Sequence, residues 1–302
     1  MTGTDRADNG GTAPRECRWE VEGLPLAGLS WGPAEGAPVL MLHGWMDHAA
    51  SFAQLAPHLA GCHVVALDLS GQGLSGHRAA HATYNIWDDL PQIAGLLDLL
   101  RWERCLLVGH SRGANIGALF AAAQPDRVQA LVALDSLVPV PTEESPVSTL
   151  RAFIDETSAA KARPPRTFAT RQAYVERRVA QGNSLAVSEA LADRALEQGP
   201  DGFRMRADPR LFASSAVKLT QADVEAVLQA IQCPVLNVWA RGGIRSARPD
   251  FDALIRRCAG LIRRYETLEL AGDHHFHLDP ATAAQIAAAI LAFQHRHCGE
   301  AG

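Results

Sequence analysis

The chain lacks any apolar run that approaches the roughly 18 residues a membrane-spanning helix requires. Lysine and arginine form no dense block and the formal net charge is −5, so we expect no nucleic-acid partner. Residues 1–16 are polar and glycine-rich and lack the apolar segment of a secretory signal, so we expect them to form a disordered N-terminal tail. These absences predict a cytoplasmic protein without a membrane span.

Recognisable metal and nucleotide motifs are also missing. The 6 cysteines are scattered without C-x-x-C spacing, which gives no support to a zinc site or a disulfide framework. Cys62, Cys105 and Cys233 lie at or beside predicted buried strands, as is typical of thiols that act as small apolar residues. The glycine-rich turn at residues 68–75 lacks the P-loop lysine, and no G-x-G-x-x-G precedes a helix. We therefore predict no cofactor.

What the chain does contain is the pattern of an α/β protein. Apolar residues make up 47% of its 302 residues and charged residues 20%, which is enough for a substantial core. Strand-like runs alternate with helical patterns over residues 17–138, and the alternation resumes over residues 233–298. Such alternation predicts a mostly parallel sheet covered by helices on both faces. The predicted strands are 38–43, 63–69, the run that ends at Ser111, 128–134, 234–240 and 263–270, after a hairpin at 19–31; the predicted helices are 51–59, 84–100 and 280–295.

Residues 139–232 interrupt that alternation. This segment is rich in arginine, glutamate, alanine and glutamine and has no strand-like apolar run. Its periodicity predicts helices at 148–161, 167–181, 184–198 and 221–231. We therefore predict a helical cap inserted between two parts of one α/β core.

Ser111 stands at the most informative position in the chain. The sequence Gly109-His110-Ser111-Arg112-Gly113 lies between a predicted strand and a predicted helix. A strand that becomes a helix within one residue strains the backbone at the turn, and the residues two before and two after must be very small. The serine hydroxyl then stands clear of the sheet at a helix N-terminus, which favours negative charge. We predict that Ser111 is a nucleophile that attacks a carbonyl.

A serine nucleophile needs a base to accept its proton. Three histidines, His274, His275 and His277, lie in the loop between the last predicted strand and the last predicted helix. The carboxyl edge of a parallel sheet would carry that loop towards Ser111. The loop position favours His274 as the base, with His275 and His277 as alternatives.

The base in turn needs a carboxylate to orient it. Such a carboxylate is usually placed after the strand that corresponds to 234–240, but residues 241–245 contain no acid. The next acids, Asp250 and Asp252, are expected on a helix. Asp135 follows the strand that neighbours the nucleophile strand. We predict that Asp135 orients the base.

Two N–H groups should stabilise the oxyanion that forms on the substrate. The backbone N–H of Arg112, directly after the nucleophile, is one candidate. The loop after the strand at 38–43 offers the other, because Gly44 allows close approach and the N–H of Trp45 follows it. We expect His43 to be a hydrogen-bonded scaffold residue of that loop.

The cationic side chain of Arg112 has two alternative roles at this stage. It pairs with a nearby carboxylate, either Asp68 or Asp89, or it favours an anionic substrate. The sequence alone does not decide between them.

Taken together, these motifs resemble the α/β-hydrolase fold family over residues 26–296. The matching segments are 43–45, 68–75, 109–113 and 272–278. In such proteins the catalytic histidine lies three residues before a second histidine, which selects His274. Residues 43–52 resemble, more narrowly, the serine hydrolase-like proteins, whose substrates are poorly defined.

The missing acid after the strand at 234–240 is the departure from the family pattern. Haloalkane dehalogenases place their acid after the earlier strand, where Asp135 lies. Their nucleophile is an aspartate, however, so Ser111 argues against dehalogenation and, for the same reason, against epoxide hydrolysis.

The sequence thus predicts a cofactor-free serine hydrolase that acts through an acyl-enzyme on Ser111. Its expected partner is a small or medium carboxylic ester, lactone or thioester. A C–C bond hydrolase or a perhydrolase would use the same residues, and the alternative from another class is a ligand-binding protein without activity. The oligomeric state is left open.

Overall fold

The computed structural model describes residues 13–247 and 250–298. The strands are β1 (Arg15–Val21), β2 (Leu24–Trp31), β3 (Ala37–Leu42), β4 (Cys62–Asp68), β5 (Cys105–His110), β6 (Val128–Leu134), β7 (Thr167–Phe168), β8 (Leu196–Gly199), β9 (Gly202–Met205), β10 (Val235–Gly242) and β11 (Tyr265–Asp273). The helices are α1 (Leu90–Leu99), α2 (Arg112–Ala123), α3 (Pro146–Ala162), α4 (Arg171–Ala180), α5 (Leu185–Ala195), α6 (Gln221–Ala230), α7 (Ile244–Ala247), α8 (Asp250–Leu261) and α9 (Pro280–Cys298). None of these described helices is long and apolar enough to cross a membrane.

The main sheet has 8 strands in the order β1-β2-β4-β3-β5-β6-β10-β11. β2 pairs antiparallel with β1 and β4, and the remaining neighbours pair in parallel. The parallel order brings the carboxyl ends of β3, β5, β6 and β10 to one edge, where ligands bind in open α/β sheets. The predicted fold class, α/β with a mostly parallel sheet, is confirmed.

Two hydrophobic clusters cover the two faces of this sheet. Leu40 and Leu42 of β3 belong to the cluster under α1, α2, α6 and α8, whereas Val39 and Met41 belong to the cluster under α9. Alternate residues of a strand point to opposite faces, so a strand covered on both sides is apolar throughout. Each such buried side chain contributes about 1.5–3 kcal/mol. This double burial explains why the central strands were visible in the sequence.

The tail predicted for residues 1–16 extends too far, because residues 15 and 16 already belong to β1. β1 and β2 pair from Arg15↔Ser30 to Val21↔Leu24 around a two-residue turn, Glu22-Gly23, whose φ angles are 52° and 78°. The first 12 residues of the predicted tail lie outside the described residues.

The helix predicted at 51–59 is wrong. Two short 3-10 segments, Ala49–Phe52 and Ala56–His58, occupy this region instead. Pro57 lacks a backbone N–H and so prevents a continuous α-helix. The pattern at 84–100 likewise begins as a 3-10 turn, Ile86–Asp89, before α1 starts at Leu90.

The segment predicted as a helical cap contains a small sheet as well as helices. Antiparallel strands β7, β9 and β8 pair in that order, so the helices predicted at 167–181 and 184–198 are wrong at residues 167–168 and 196–198. β8 and β9 form a hairpin whose turn includes Pro200, a residue that is unfavourable in the interior of a helix. Phe168, Tyr174 and Leu196 pack in a separate cluster beneath these strands.

α6 lies with the core rather than with the rest of the predicted cap. Its buried residues Val224 and Leu228 share a cluster with Ile116 of α2 and Cys258 of α8. The cap boundaries at residues 139 and 232 remain predictions.

Candidate active site

Ser111 occupies a strained turn between β5 and α2. Its backbone has φ 52° and ψ −117°, a conformation that costs a non-glycine residue about 1–3 kcal/mol. The backbone N–H of Ser111 donates to the carbonyl of Leu134, the last residue of β6, at 3.0 Å. A Cβ on Gly109 would lie 2.4 Å from the Gly113 carbonyl oxygen, and one on Gly113 would lie 2.0 Å from that of Leu42. Both glycines are therefore needed where the sequence has them.

His274 and Asp135, far apart in the chain, meet beside this turn. His274 Nδ1 lies 2.7 Å from Asp135 Oδ2. The carboxylate is fully buried, whereas the His274 side chain is 33% exposed. An ionised carboxylate only accepts, so Nδ1–H donates and Nε2 keeps its lone pair for another proton. The structure thus brings the predicted base and acid together; their catalytic roles remain predictions.

The segment around residues 241–245, which contains no acid of its own, binds the carboxylate of Asp135. Asp135 Oδ1 accepts the Ala240 N–H at 3.1 Å, and Oδ2 accepts the Ile244 N–H at 2.8 Å. A Cβ on Gly243 would lie 2.2 Å from Oδ2, so the carboxylate fills the space that a side chain there would need. Asp135 itself has φ 48°.

His110 supports the loop that carries His274. Its buried ring places Nε2 2.7 Å from the His274 carbonyl oxygen, so Nε2–H donates there. Burial, together with the neighbouring histidines His277, His274 and His275, keeps the pKa of His110 well below its ordinary value. A neutral His110 thus fixes the backbone of the candidate base.

Neither alternative histidine takes the place of His274 beside Asp135. The ring of His277 is fully buried and stacks 4.1 Å from His110, and burial lowers its pKa to about 3. His275 Nε2 lies 3.2 Å from Asp47 Oδ2 instead. The observed geometry therefore favours His274 among the three.

Asp47 is a site residue to which the sequence analysis gave no role. This buried carboxylate contacts His275, and its Oδ1 lies 3.4 Å from an Arg178 nitrogen of α4. Burial raises the pKa of Asp47, but the charges of His275 and Arg178 outweigh burial and hold it well below its ordinary value. Burial alone would lower the pKa of His275. The charge of Asp47 outweighs burial, so the pKa of His275 is raised above its ordinary value. Asp47 thereby joins three segments of chain.

His43 is a neutral scaffold residue in the structure. Its Nε2 accepts the Leu69 N–H at 2.9 Å, so Nδ1–H donates to the Gly44 carbonyl at 2.7 Å. Burial lowers the pKa of His43 to about 4. A Cβ on Gly44 would lie 2.9 Å from His110 Nδ1, so this loop packs closely against the nucleophile strand.

Trp45 connects the same loop to the cap. Its indole N–H donates to the Leu211 carbonyl at 3.2 Å, and its ring meets the edge of Phe212 at 5.2 Å between centroids. The next residue, Met46, has φ 63° and donates its N–H to Gln72 Oε1 at 2.7 Å. Met46 N–H is therefore occupied, while Trp45 N–H remains the candidate oxyanion donor, with Arg112 N–H at the first position of α2 as the other.

The side chain of Arg112 pairs with Asp89 and not with Asp68. Its Nη2 lies 3.0 Å from Asp89 Oδ2, and Arg78 binds the other oxygen of the same carboxylate at 2.6 Å. Asp68 instead accepts Arg194 of α5 at 2.8 Å. The open choice from the sequence is thus decided in favour of a structural pair with Asp89.

A cavity of about 490 Å³ lies between residues 45–46 and the segment predicted as the cap. Trp45 and Met46 form its wall on the core side. The cap side contributes Arg163, Pro164, Pro165, Arg166, Thr167, Phe168, Tyr174, Arg177, Arg178, Gln181, Met205, Ala207, Pro209 and Phe212. Its size suits a small or medium organic molecule.

Comparison with known proteins agrees with this architecture. The family described as alpha/beta hydrolase fold matches residues 37–279. A serine hydrolase-like protein of Danio rerio is 30% identical over 276 residues, which cover 88% of this chain and 85% of that protein. The chain belongs to the α/β hydrolase fold family and is close to the serine hydrolase-like proteins.

Two solved structures extend the comparison. A hypothetical protein of Pseudomonas aeruginosa is 36% identical, with a TM-score of 0.85 over 92% of this chain and 98% of that chain. The thioesterase domain from the curacin biosynthetic pathway is 27% identical, with a TM-score of 0.78 over 92% of this chain and 99% of that chain.

Proposed function

We propose that this protein is a serine hydrolase in which Ser111 attacks the carbonyl of an ester, lactone or thioester. The observation that carries the proposal is the 2.7 Å contact between His274 and a buried Asp135 beside a serine in a strained turn. A buried carboxylate held by two N–H groups and one imidazole is an expensive arrangement, and it suits a base that must become charged.

The proposed reaction proceeds through an acyl-enzyme. His274 Nε2 accepts the proton of the Ser111 hydroxyl as Oγ bonds to the carbonyl carbon, and Asp135 stabilises the imidazolium. The N–H groups of Trp45 and Arg112 stabilise the oxyanion, each contributing on the order of 10²–10³ in rate. His274 then gives its proton to the leaving group, and water, deprotonated by His274, releases the acyl group from Ser111.

A ligand-binding protein without activity is less well supported than a hydrolase. That alternative drew its weight from the absence of an acid in residues 241–245, and Asp135 contacts the base from the neighbouring strand. The same geometry would serve a C–C bond hydrolase or a perhydrolase, and nothing in the site favours either over ester cleavage.

The test is p-nitrophenyl ester hydrolysis by the wild type and by Ser111→Ala, His274→Ala and Asp135→Asn. We expect kcat to fall roughly 10⁴-fold in each, because the three residues act as a unit. Asp193→Asn, which removes an exposed carboxylate of α5, is the matched control and should keep wild-type activity.

Labelling with a fluorophosphonate should modify Ser111 in the wild type and in no folded Ser111→Ala protein. Near-wild activity of Asp135→Asn would rule out Asp135 as the acid. A folded wild type that neither turns over esters nor takes the label would overturn the hydrolase proposal.

A further inference from the structure

The cap cavity carries positive charge without a matching negative charge. Arg163, Arg166 and Arg177 line it, and none of the described residues around it has a carboxylate. Among the described residues, none of these three arginines has an ion-pair partner. Burial lowers the pKa of Arg166, and the charges of Arg177 and Arg163 lower it further, so the three guanidinium groups repel one another.

Most other arginines of the predicted cap do have ion-pair partners. Arg171 pairs with Asp193, Arg194 with Asp68 and Arg210 with Asp208. Arg178, which also lines the cavity, is paired with Asp47. Within the cavity wall the unpaired charge therefore belongs to Arg163, Arg166 and Arg177, whereas Arg151, which also lacks an ion-pair partner among the described residues, lies outside that wall.

The rest of the cavity wall is largely apolar. Trp45, Phe168, Tyr174, Met205 and Phe212 supply aromatic and thioether surface. Arg163, Arg166 and Arg177 are exposed, so their charged groups lie where the cavity meets solvent. A ligand that matches this wall has an apolar body and an anionic group.

The cavity lies next to the loop that carries one candidate oxyanion donor, while Ser111, Arg112 and His274 are not among the residues that line it. Trp45 and Met46 are shared between its wall and this loop, and the Leu42 carbonyl at the start of that loop packs against Gly113 of the nucleophile turn. Trp45 thus provides the link between the candidate oxyanion donor and the cavity wall that holds the arginines.

We propose that Arg163, Arg166 and Arg177 bind a carboxylate or phosphate on the substrate, so that the preferred substrates are anionic esters or thioesters. This inference rests on the proposed function, since it names the substrate class of the same site. Guanidinium groups suit both anions because their planar N–H groups form paired hydrogen bonds with two oxygens.

The experiment compares substrates in which one carboxylate is either free or methylated, with each rate divided by the rate of spontaneous hydrolysis of the same ester. p-Nitrophenyl hydrogen adipate carries a carboxylate on its acyl chain, and p-nitrophenyl methyl adipate is its neutral partner. 4-Acetoxybenzoate and its methyl ester place the same difference in the leaving group. We expect kcat/KM to favour the anionic member of at least one pair, which identifies the side of the substrate that enters the cavity.

The triple variant Arg163→Gln, Arg166→Gln, Arg177→Gln should reduce this preference roughly tenfold, through a higher KM for the anionic esters. Arg151→Gln is the matched control, because Arg151 is an exposed arginine of α3 outside the cavity wall. Added salt should weaken the preference in the wild type. No preference in either pair, or a preference that survives the triple substitution, overturns the inference.

A binding measurement distinguishes failure of the anion-site inference from failure of the hydrolase proposal. Calorimetry on Ser111→Ala with monomethyl adipate and dimethyl adipate measures the charge preference without turnover. Tighter binding of the monoester that the triple variant loses supports the anion site even if the wild type hydrolyses nothing. Equal binding of the two, with equal turnover, rejects it.

Discussion

Asp47 illustrates how one buried charge can organise several segments at the scale of single residues. Its carboxylate contacts His275 next to the candidate base and Arg178 of α4, and its own N–H donates to the Gly44 carbonyl in the loop that follows β3. A buried carboxylate is tolerated only when such partners compensate for its lost hydration. Asp47 is thus a positioning residue.

Replacing Asp47 by asparagine should lower the free energy of unfolding by about 3 kcal/mol, because Arg178 and His275 lose a buried partner. Urea unfolding near neutral pH measures the change. Asp193→Asn, which removes the exposed partner of Arg171, should cost less than about 1 kcal/mol. Equal effects of the two substitutions would show that burial of Asp47 has no energetic weight.

At the scale of elements, the loop between β10 and α7 acts as the support for Asp135. It supplies the N–H of Ile244 and, through Gly243, the space that the carboxylate fills. The loop can move away from a new side chain only by breaking its hydrogen bond to Asp135.

Gly243→Ala should therefore lower kcat on the order of 10²-fold, since small displacements of catalytic groups cost that much. Gly260→Ala is the control: a Cβ there meets nothing within 4 Å, and alanine in α8 should stabilise by about 0.5–1 kcal/mol. Ester turnover and thermal unfolding of both variants check the two expectations. Wild-type turnover in Gly243→Ala would mean that this loop does not hold the acid.

The elements also explain what could be predicted from the sequence. β3, β5, β6 and β10 were visible because burial on both faces makes them continuously apolar. β7, β8 and β9 were not visible, because most of their residues are exposed or only partly buried. Their sequences therefore lack an apolar run and could equally be those of a polar helix.

The candidate site likewise contains residues that the sequence located and contacts that it could not predict. Ser111 and the loop of His274 follow local patterns, so the sequence located them. The contacts of Asp47 and the fit of Gly243 against Asp135 depend on residues more than 100 positions apart, which no local pattern contains.

At the scale of the whole molecule, buried histidines set how stability depends on pH. Burial lowers the pKa of His43 and His48 to about 4 and that of His277 to about 3. Each binds a proton more readily when unfolded, so each makes the folded state less stable as pH falls below 6.5. The raised pKa of His275 acts in the opposite sense: its stabilisation is complete below pH 6.5 and is lost as pH rises through the raised value.

The free energy of unfolding should therefore be greatest near neutral pH. The variant His277→Phe, which keeps a planar ring next to Phe52, removes one titrating group. Between pH 4 and 6.5 it should reduce the slope of the unfolding free energy by about 1.4 kcal/mol per pH unit. Urea unfolding at several pH values measures both slopes, and an unchanged slope would mean that His277 is protonated in the folded protein.

The fit between Gly243 and Asp135 also bears on how such proteins diverge. Any side chain at position 243 begins inside the volume of the Asp135 carboxylate, so an acid at position 243 and the carboxylate of Asp135 exclude each other. An ancestor could exchange one for the other while the histidine, the serine and every strand stayed where they were. The strand that supplies the acid would then differ between lineages. The proposed chemistry would require only that the carboxylate oxygens occupy the same position beside the histidine.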